Sequence, residues 1–573
     1  MTNKRQKLEL TWIGKDEEIK LEPRILIEDP AKSYGDPNSE NMLIHGDNLL
    51  ALKALEQDFA GLIKCIYIDP PYNIDAAGVL YDDFIEHSLW LSLMKPRLEI
   101  IYKLLQEDGL LAVQIDDNEF AKLYLLLAEV FAGEKNLKTI VVKMSEATGV
   151  KMASTKKAGS IPKLKEYIIL AKKNGIKGLK LENIQKEKWD QEYKIYIDNV
   201  TFDEIEYVKQ VMNDESRSET DIQKADKICA KFIYRSLSEV SRGNNNLEQW
   251  KYDNAWRIVR TVATTESAKK IADLKKQTTN KINFLIETSQ KKAYLIKADY
   301  NLEVPQPRIK LLFADLYLTV AIGDLWTDIK TTGLDSEGGV DFKKSKKPEA
   351  LIKRIITMNS EKSDFILDSF LGSGTTAAVA HKMGRKWIGI ELGDHANTHC
   401  LPRLKSVVDG IDQSGVSKAV NWKGGGGFKF YNLAPSLLRK DSFGNFVIDE
   451  KYNANMLAAA MCKHEGFKYS PDETLYWKQG KSTETDYIFV TTGFVTIEQL
   501  DSIHAQMKEN DSLLICAKSY APGCEKHFAN ITVKKIPQMI LGKCEFGKDN
   551  YDLNIIKATE EEAEESNEVQ DER

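Results

Sequence analysis

The chain has 573 residues, 42% of them hydrophobic and 29% charged, too many for one ordinary core and enough for several. No run of about 18 apolar residues occurs, which argues against a membrane span. The net charge of −6 sits badly with a polyanionic partner until it is located: residues 560–573 hold eight acids against one arginine, so the remaining body is close to neutral.

Residues 1–40 form a mixed-charge N-terminal extension. Its basic opening runs into Leu8-Glu9-Leu10-Thr11-Trp12 rather than the apolar core of a signal peptide, so a cytoplasmic location is expected. From 41 to 175, short apolar strands (Met42–Ile44, Cys65–Ile68, Leu110–Ile115, Tyr167–Ala171) alternate with amphipathic helical runs such as Ser88–Gln106. This alternation predicts a mostly parallel sheet covered by helices. Asp47 stands where it would cap a helix over Asn48–Leu55. Asp116, Asp117 and Glu119 read as a strand-end turn before the next helix, a simpler account than a metal site, and no metal is expected.

At the end of the second strand stands Asp69-Pro70-Pro71-Tyr72. A carboxylate there accepts a hydrogen bond from an exocyclic amine, and prolines present carbonyl acceptors without competing N–H donors. Tyr72 offers a flat face for a base rotated out of a duplex. The arrangement suits methyl transfer from S-adenosylmethionine to the amine. Taken alone, the same four residues also read as a stiff turn after a buried strand.

Residues 176–320 break the rhythm with polar, helix-favouring sequence such as Ser267–Lys292. Between Lys251 and Lys297 there are eleven Lys or Arg against four Asp or Glu, with Trp256, Phe284 and Tyr294 interleaved. That pattern fits a phosphate-contacting surface as well as it fits a solvated helical face. The candidates on the first reading are Lys251, Trp256, Arg257, Arg260, Lys269 and Lys270.

Strand and helix alternation resumes over 321–435. A strand at Asp364–Asp368 runs into Ser369-Phe370-Leu371-Gly372-Ser373-Gly374-Thr375-Thr376-Ala377 and a helical run to Met383. Gly372 and Gly374 permit a tight turn and close ligand approach, with Ala377 in the third, tolerant position of the G-x-G-x-x-G/A pattern. The next strand, Lys386–Ile390, ends at Glu391, an acid placed to accept from both ribose hydroxyls of an adenosine. Asp368 would shape the turn, Phe370 and the stretch through Thr375 would surround the methionine portion, and Asp47 would touch the adenine or amino end. The glycine pattern alone fits a dinucleotide equally well. Gly424–Gly427 reads as a flexible loop before a strand at Phe428–Tyr431.

A smaller C-terminal α/β domain is expected over 436–558, with strands at Ser512–Ala517 and Asn530–Val533 and a helix from Pro537. A disordered acidic tail follows over 559–573. The seven cysteines are scattered, odd in number and without a C-x-x-C, which fits reduced thiols. His395, His399 and Cys400 lack a second ligand pair and read as ordinary helix-face residues.

The Asp69–Tyr72 and Phe370–Gly374 motifs resemble motifs IV and I of amino-methylating DNA methyltransferases, and their order is that of the β group. Asn41–Leu50, Trp90–Leu98, Asp108–Glu119, Lys165–Asn174, Lys343–Glu349 and Val420–Tyr431 resemble the flanking segments. Together they look most like the modification subunit of a type III restriction and modification system. The resemblance implies a Rossmann-like, S-adenosylmethionine-dependent α/β sheet, circularly ordered with the catalytic motif before the cofactor motif. Residues 41–175 would form its catalytic half and 321–435 its cofactor-binding half, with 176–320 an inserted target-recognition domain and 436–558 an assembly domain. It implies methylation of adenine N6 in double-stranded DNA, a homodimer, and a separate helicase and endonuclease subunit.

Two departures stand out: Asp368-Ser369-Phe370 where the family commonly has Asp-Pro-Phe, and Lys346-Lys347-Pro348 where it has Pro-Lys-Pro. The second leaves open which of Lys346 and Lys347, if either, holds the methionine carboxylate. A solitary adenine methyltransferase and an N4-cytosine enzyme are the alternatives, the latter more usually carrying Ser-Pro-Pro-Tyr. Protein glutamine methylation typically has Asn at the position of Asp69, and a nicotinamide dehydrogenase leaves the Asp-Pro-Pro-Tyr strand unexplained.

Overall fold

Buried β-prone runs set the frame: Ile63–Ile68 is buried at five of its six positions and Phe365–Asp368 at three of four, as strands covered on both faces require. A computed structural model describes residues 9–73, 87–145, 157, 159–186, 188–214, 216–244, 246–331, 334–340, 346–549 and 551. The acidic tail and the basic opening segment lie outside the described residues. Two compact units result, one from 1–180 with 323–573 and the other from 181–322.

The first unit is built on a large mixed sheet. The strands along its path, in chain order, are β1 (Leu26–Glu28), β2 (Met42–His45), β3 (Ile63–Ile68), β4 (Leu105–Ile115), β5 (Leu137–Lys143), β6 (Lys165–Ala171), β7 (Leu325–Trp326), β8 (Phe365–Asp368), β9 (Lys386–Glu391) and β10 (Gly427–Leu433), with the short Tyr34–Gly35 strand paired to β10 off that path. They lie in the order β1-β10-β2-β9-β8-β3-β4-β6-β5-β7, and the run from β10 to β4 is parallel throughout. Helices α1 (Asn48–Phe59), α2 (His87–Leu104) and α3 (Phe120–Val130) share one core with the sheet. Trp90, Met94, Leu98 and Ile101, at helical spacing, form the buried stripe of α2. Asp47 caps α1 by accepting from the Leu50 N–H at 2.9 Å.

Strand order positions the site. From β8 the chain continues through α5 (Thr375–Lys382) to β9 on one side, whereas from β3 it continues through α2 to β4 on the other. The order therefore reverses between β8 and β3, and the carboxyl ends of strands at such a reversal are where open α/β sheets bind their ligands. Leu367 pairs with Ile66, so Asp69 and the glycine turn leave the same edge side by side.

A buried charge cluster ties the cofactor half together. Glu349, at the start of α4 (Glu349–Asn359), accepts from Arg403 of α6 (Leu401–Val408) at 2.8 Å and from Lys382 at 2.9 Å, all three side chains being fully buried. Arg403 in turn donates to the Ser373 carbonyl and the Thr375 hydroxyl. Glu349→Ala removes the carboxylate that both buried cations share, leaving Asp412 beside Lys382. We expect it to lower stability by about 3–5 kcal/mol in urea unfolding; a loss under about 1 kcal/mol would show that the cluster relaxes freely.

The C-terminal region forms a five-stranded sheet whose last three strands, Asp486–Val495, Ser512–Tyr520 and Ile531–Lys535, are parallel. The helix expected from Pro537 is a single turn, closed by Leu541 N–H on the Pro537 carbonyl and stopped at Gly542, whose φ is +82°.

The second unit carries a six-stranded sheet in which all the pairings are antiparallel. Here the helix expected over Ser267–Lys292 ends at Thr278, and Asn283–Glu287 is a strand. Thr278-Thr279-Asn280 are poor helix formers, and the run that follows buries Phe284 and Leu285 on opposite faces of the sheet, as strand alternation dictates.

Candidate active site

Asp69 follows β3 directly, and the Pro70-Pro71 turn after it is pinned by buried Trp90, whose indole N–H donates to the Pro71 carbonyl at 2.9 Å. Asn73 turns the chain with φ +54° and donates to Glu119 at 2.6 Å. The Tyr72 hydroxyl lies 2.7 Å from Asp69 Oδ1 and 2.8 Å from Glu166 Oε2. Lys347 donates to that hydroxyl at 2.9 Å and its ammonium pairs with Asp69 Oδ2 at 3.1 Å. Lys346 instead donates to the Glu337 and Val340 carbonyls. Of the two lysines, Lys347 is the one at the Asp-Pro-Pro-Tyr turn.

Burial pushes the Asp69 pKa above the ordinary carboxylate value and Glu166 adds to the rise, while Lys347 and the Tyr72 hydrogen bond oppose it. For Lys347 burial works against the charge, yet Asp69 and Glu166 outweigh it and hold its pKa above the usual lysine value. Asp69 is thus a weaker acid than an ordinary carboxyl, beside a lysine that holds its proton more firmly than usual.

On the cofactor side, Asp368 accepts from the Phe370 N–H at 2.9 Å and the Thr376 hydroxyl at 2.6 Å, closing the turn; burial raises its pKa to about 7. Gly372 and Gly374 have φ +55° and +80°, the left-handed region that favours glycine, and a Cβ on Gly374 would meet the Cys400 backbone at 3.4 Å. Glu391, at the end of β9, accepts from the Gly372 N–H at 2.8 Å and the Gly393 N–H at 3.0 Å. A carboxylate fixed at the rim of a glycine turn offers acceptors suited to the hydroxyls of a ribose. Thr375 is held by Arg403 from within the core, and Asp47 is buried, accepting from the Tyr551 N–H at 2.8 Å as well as capping α1.

The carboxylates after β4 are paired: Asp116 with Lys163, Asp117 with Lys165, and Glu119 with Asn73 and His87. No group of three metal-ligating side chains occurs among the described residues. Cys400 donates its thiol to the Gly372 carbonyl, and His395 packs edge-on to His399.

Within the second unit the six basic and aromatic candidates are scattered among intramolecular partners. Lys251 is buried and pairs with Glu248; Arg257 lies over the Tyr196 and Trp256 rings. Arg260 pairs with Asp190 and Glu192, Lys269 with Asp273, and Lys270 with Glu266 while remaining 74% exposed. A cavity of about 260 Å³ elsewhere in the unit gathers Arg217, Lys292, Lys310, Tyr294 and Tyr317, with no acid among the described residues that line it. Lys310 there lies over the Tyr294 ring, its pKa lowered by burial and by Lys292.

Sequence reasoning missed Glu166, Gln114 and Arg403. Glu166 lies in a segment noted for its resemblance, but no local pattern marks it; only the antiparallel pairing of β6 with β4 brings it to Asp69.

A family model described as DNA methylase matches residues 63–399. The chain is 37% identical over 423 residues to the probable type III restriction-modification enzyme HindVI Mod subunit of Haemophilus influenzae, covering 70% of this chain and 55% of that one. It is 27% identical over 436 residues to the type III restriction-modification enzyme EcoPI Mod subunit of Escherichia phage P1, covering 65% and 60%. The chain thus spans a little over half the length of these relatives. The crystal structure of an M1.HpyAVI–SAM complex aligns with 63% of this chain and 98% of its own at 12% identity and TM-score 0.30. Because the family model spans more than half of the chain, including both the Asp69 turn and the glycine turn, the chain belongs to the DNA methylase family.

Proposed function

We propose that the protein transfers a methyl group from S-adenosylmethionine to N6 of a flipped adenine in double-stranded DNA, as the modification subunit of a type III restriction-modification system. The observation that carries this reading is the pair of turns, Asp69–Tyr72 and Gly372–Gly374, at the carboxyl ends of adjacent parallel strands. S-adenosylmethionine supplies a sulfonium methyl carbon open to nucleophilic attack. Glu391 would accept from the ribose hydroxyls and the Gly372–Thr375 turn would surround the methionine portion.

Asp69 and the Pro70 carbonyl accept the two N6 hydrogens and draw that nitrogen toward tetrahedral geometry, freeing its lone pair. As the N–C bond forms and the S–C bond breaks, N6 becomes acidic, and its proton passes to Asp69 or to water; a carboxyl with a raised pKa suits that task. Tyr72 stacks on the extruded base, offsetting part of an unstacking cost of roughly a few kcal/mol.

Residues 181–322 form a compact unit with a cationic, aromatic-lined cavity, which supports a target-recognition role for the insert. The relatives named as Mod subunits support pairing with a separate restriction subunit, and we read the region beyond 435 as an assembly domain of a homodimer. Light scattering together with strand-resolved methylation mapping tests the finer reading. A dimer that modifies one strand of a short asymmetric site is expected. A monomer that modifies both strands of a palindrome would indicate a solitary enzyme.

A further inference from the structure

Glu166 has no place in the chemistry above, yet two N–H donors, Gln114 and Lys347, converge on one of its oxygens together with the Tyr72 hydroxyl, whose single proton lies between Glu166 and Asp69. Glu166 is the second residue of β6, whose pairing of Tyr167 with Ile115 carries it to the carboxyl end of β4. Its Oε2 accepts from Gln114 Nε2 at 2.5 Å, lies 2.8 Å from the Tyr72 hydroxyl and 3.5 Å from the Lys347 ammonium. Gln114 is itself fixed by the buried Tyr67 hydroxyl at 2.7 Å, so Glu166 is anchored from β3 and β4 while it holds Tyr72 and Lys347.

The same two groups engage both oxygens of Asp69, Tyr72 at Oδ1 and Lys347 at Oδ2. An incoming amine needs those acceptors. We infer that Glu166 is a positioning residue that keeps Tyr72 and Lys347 latched on Asp69 and then retains the Lys347 ammonium as counter-ion when an exocyclic amine takes its place. Without that second carboxylate, freeing Asp69 would strand a mostly buried cation, which is costly. With it, the ammonium shifts between two acids already within 3.5 Å of it. The inference rests on the proposed methyl transfer to an amine.

The test is single-turnover methyl transfer to duplex DNA at saturating S-adenosylmethionine, across pH, for the full chain and two variants. Glu166→Gln is expected to transfer ~10- to 100-fold more slowly, the scale of a misplaced reacting group, with cofactor and DNA affinity within about twofold of wild type. The groups facing Asp69 are Tyr67, Tyr72, Glu166, Lys347 and, from β8, Asp368. Glu166 raises the Asp69 pKa, so its neutralisation moves the acid limb of the rate profile to lower pH, whereas Asp368 is common to both proteins.

Glu166→Asp keeps the charge but is one methylene short of reaching both partners, so the rate falls about 3- to 10-fold with the limb in place. A Gln variant that matches wild type, or one that loses rate with the limb unmoved, overturns the positioning role, and so does a wild-type rate in Glu166→Asp. An inactive wild-type protein would sink the methyltransfer reading and this inference with it; an active wild type matched by its variants sinks the inference alone.

Discussion

Asp69→Ala is expected to reduce methyl transfer by at least ~10²–10³-fold, the cost of removing one well-placed polar contact at a reacting centre, while DNA and cofactor binding stay nearly intact. The substitution removes the acceptor that both Tyr72 and Lys347 now share, and Glu166 remains to hold those two side chains. Burst kinetics with equilibrium binding on the same preparation separates the effects. Undiminished turnover in Asp69→Ala would remove the residue from the chemistry.

Gly372→Val is expected to weaken S-adenosylmethionine binding by ~10- to 100-fold, about 1.4–2.8 kcal/mol. Its φ of +55° is an outlier for a β-branched side chain, so the variant either strains the turn or rebuilds it. Rebuilding would break the bond from the Gly372 N–H to Glu391 that fixes the carboxylate. Glu391→Ala should weaken binding by a similar factor through loss of the acceptors themselves. Calorimetry reads both, and tighter binding of NAD than of S-adenosylmethionine by the wild-type chain would contradict the cofactor assignment.

The parts of the site that are contiguous in sequence were legible there. Asp69–Tyr72 and Ser369–Ala377 each carry their geometry locally, in proline-fixed or left-handed backbone after a buried apolar strand. The sheet was legible too, because runs such as Cys65–Ile68 and Leu110–Ile115 allow few structures other than covered strands. What pairs with Asp69 was not, since Tyr72 reaches Glu166 and Lys347 across 94 and 275 residues of chain and strand register decides such meetings. Composition misled in the insert for a related reason. A basic count does not show which cations are already paired, and Lys251 and Arg260 have acids beside them in space. The helix expected through Lys292 likewise yielded to a strand whose apolar residues have a sheet to pack on.

The central claim is tested most directly by expressing the chain alone in a host without other DNA methylation and sequencing single DNA molecules. The expected result is N6-methyladenine at one short asymmetric sequence, on one strand, lost in the Asp69→Ala strain. Unmodified DNA from a strain that accumulates folded protein, or modification confined to cytosine N4, would contradict it.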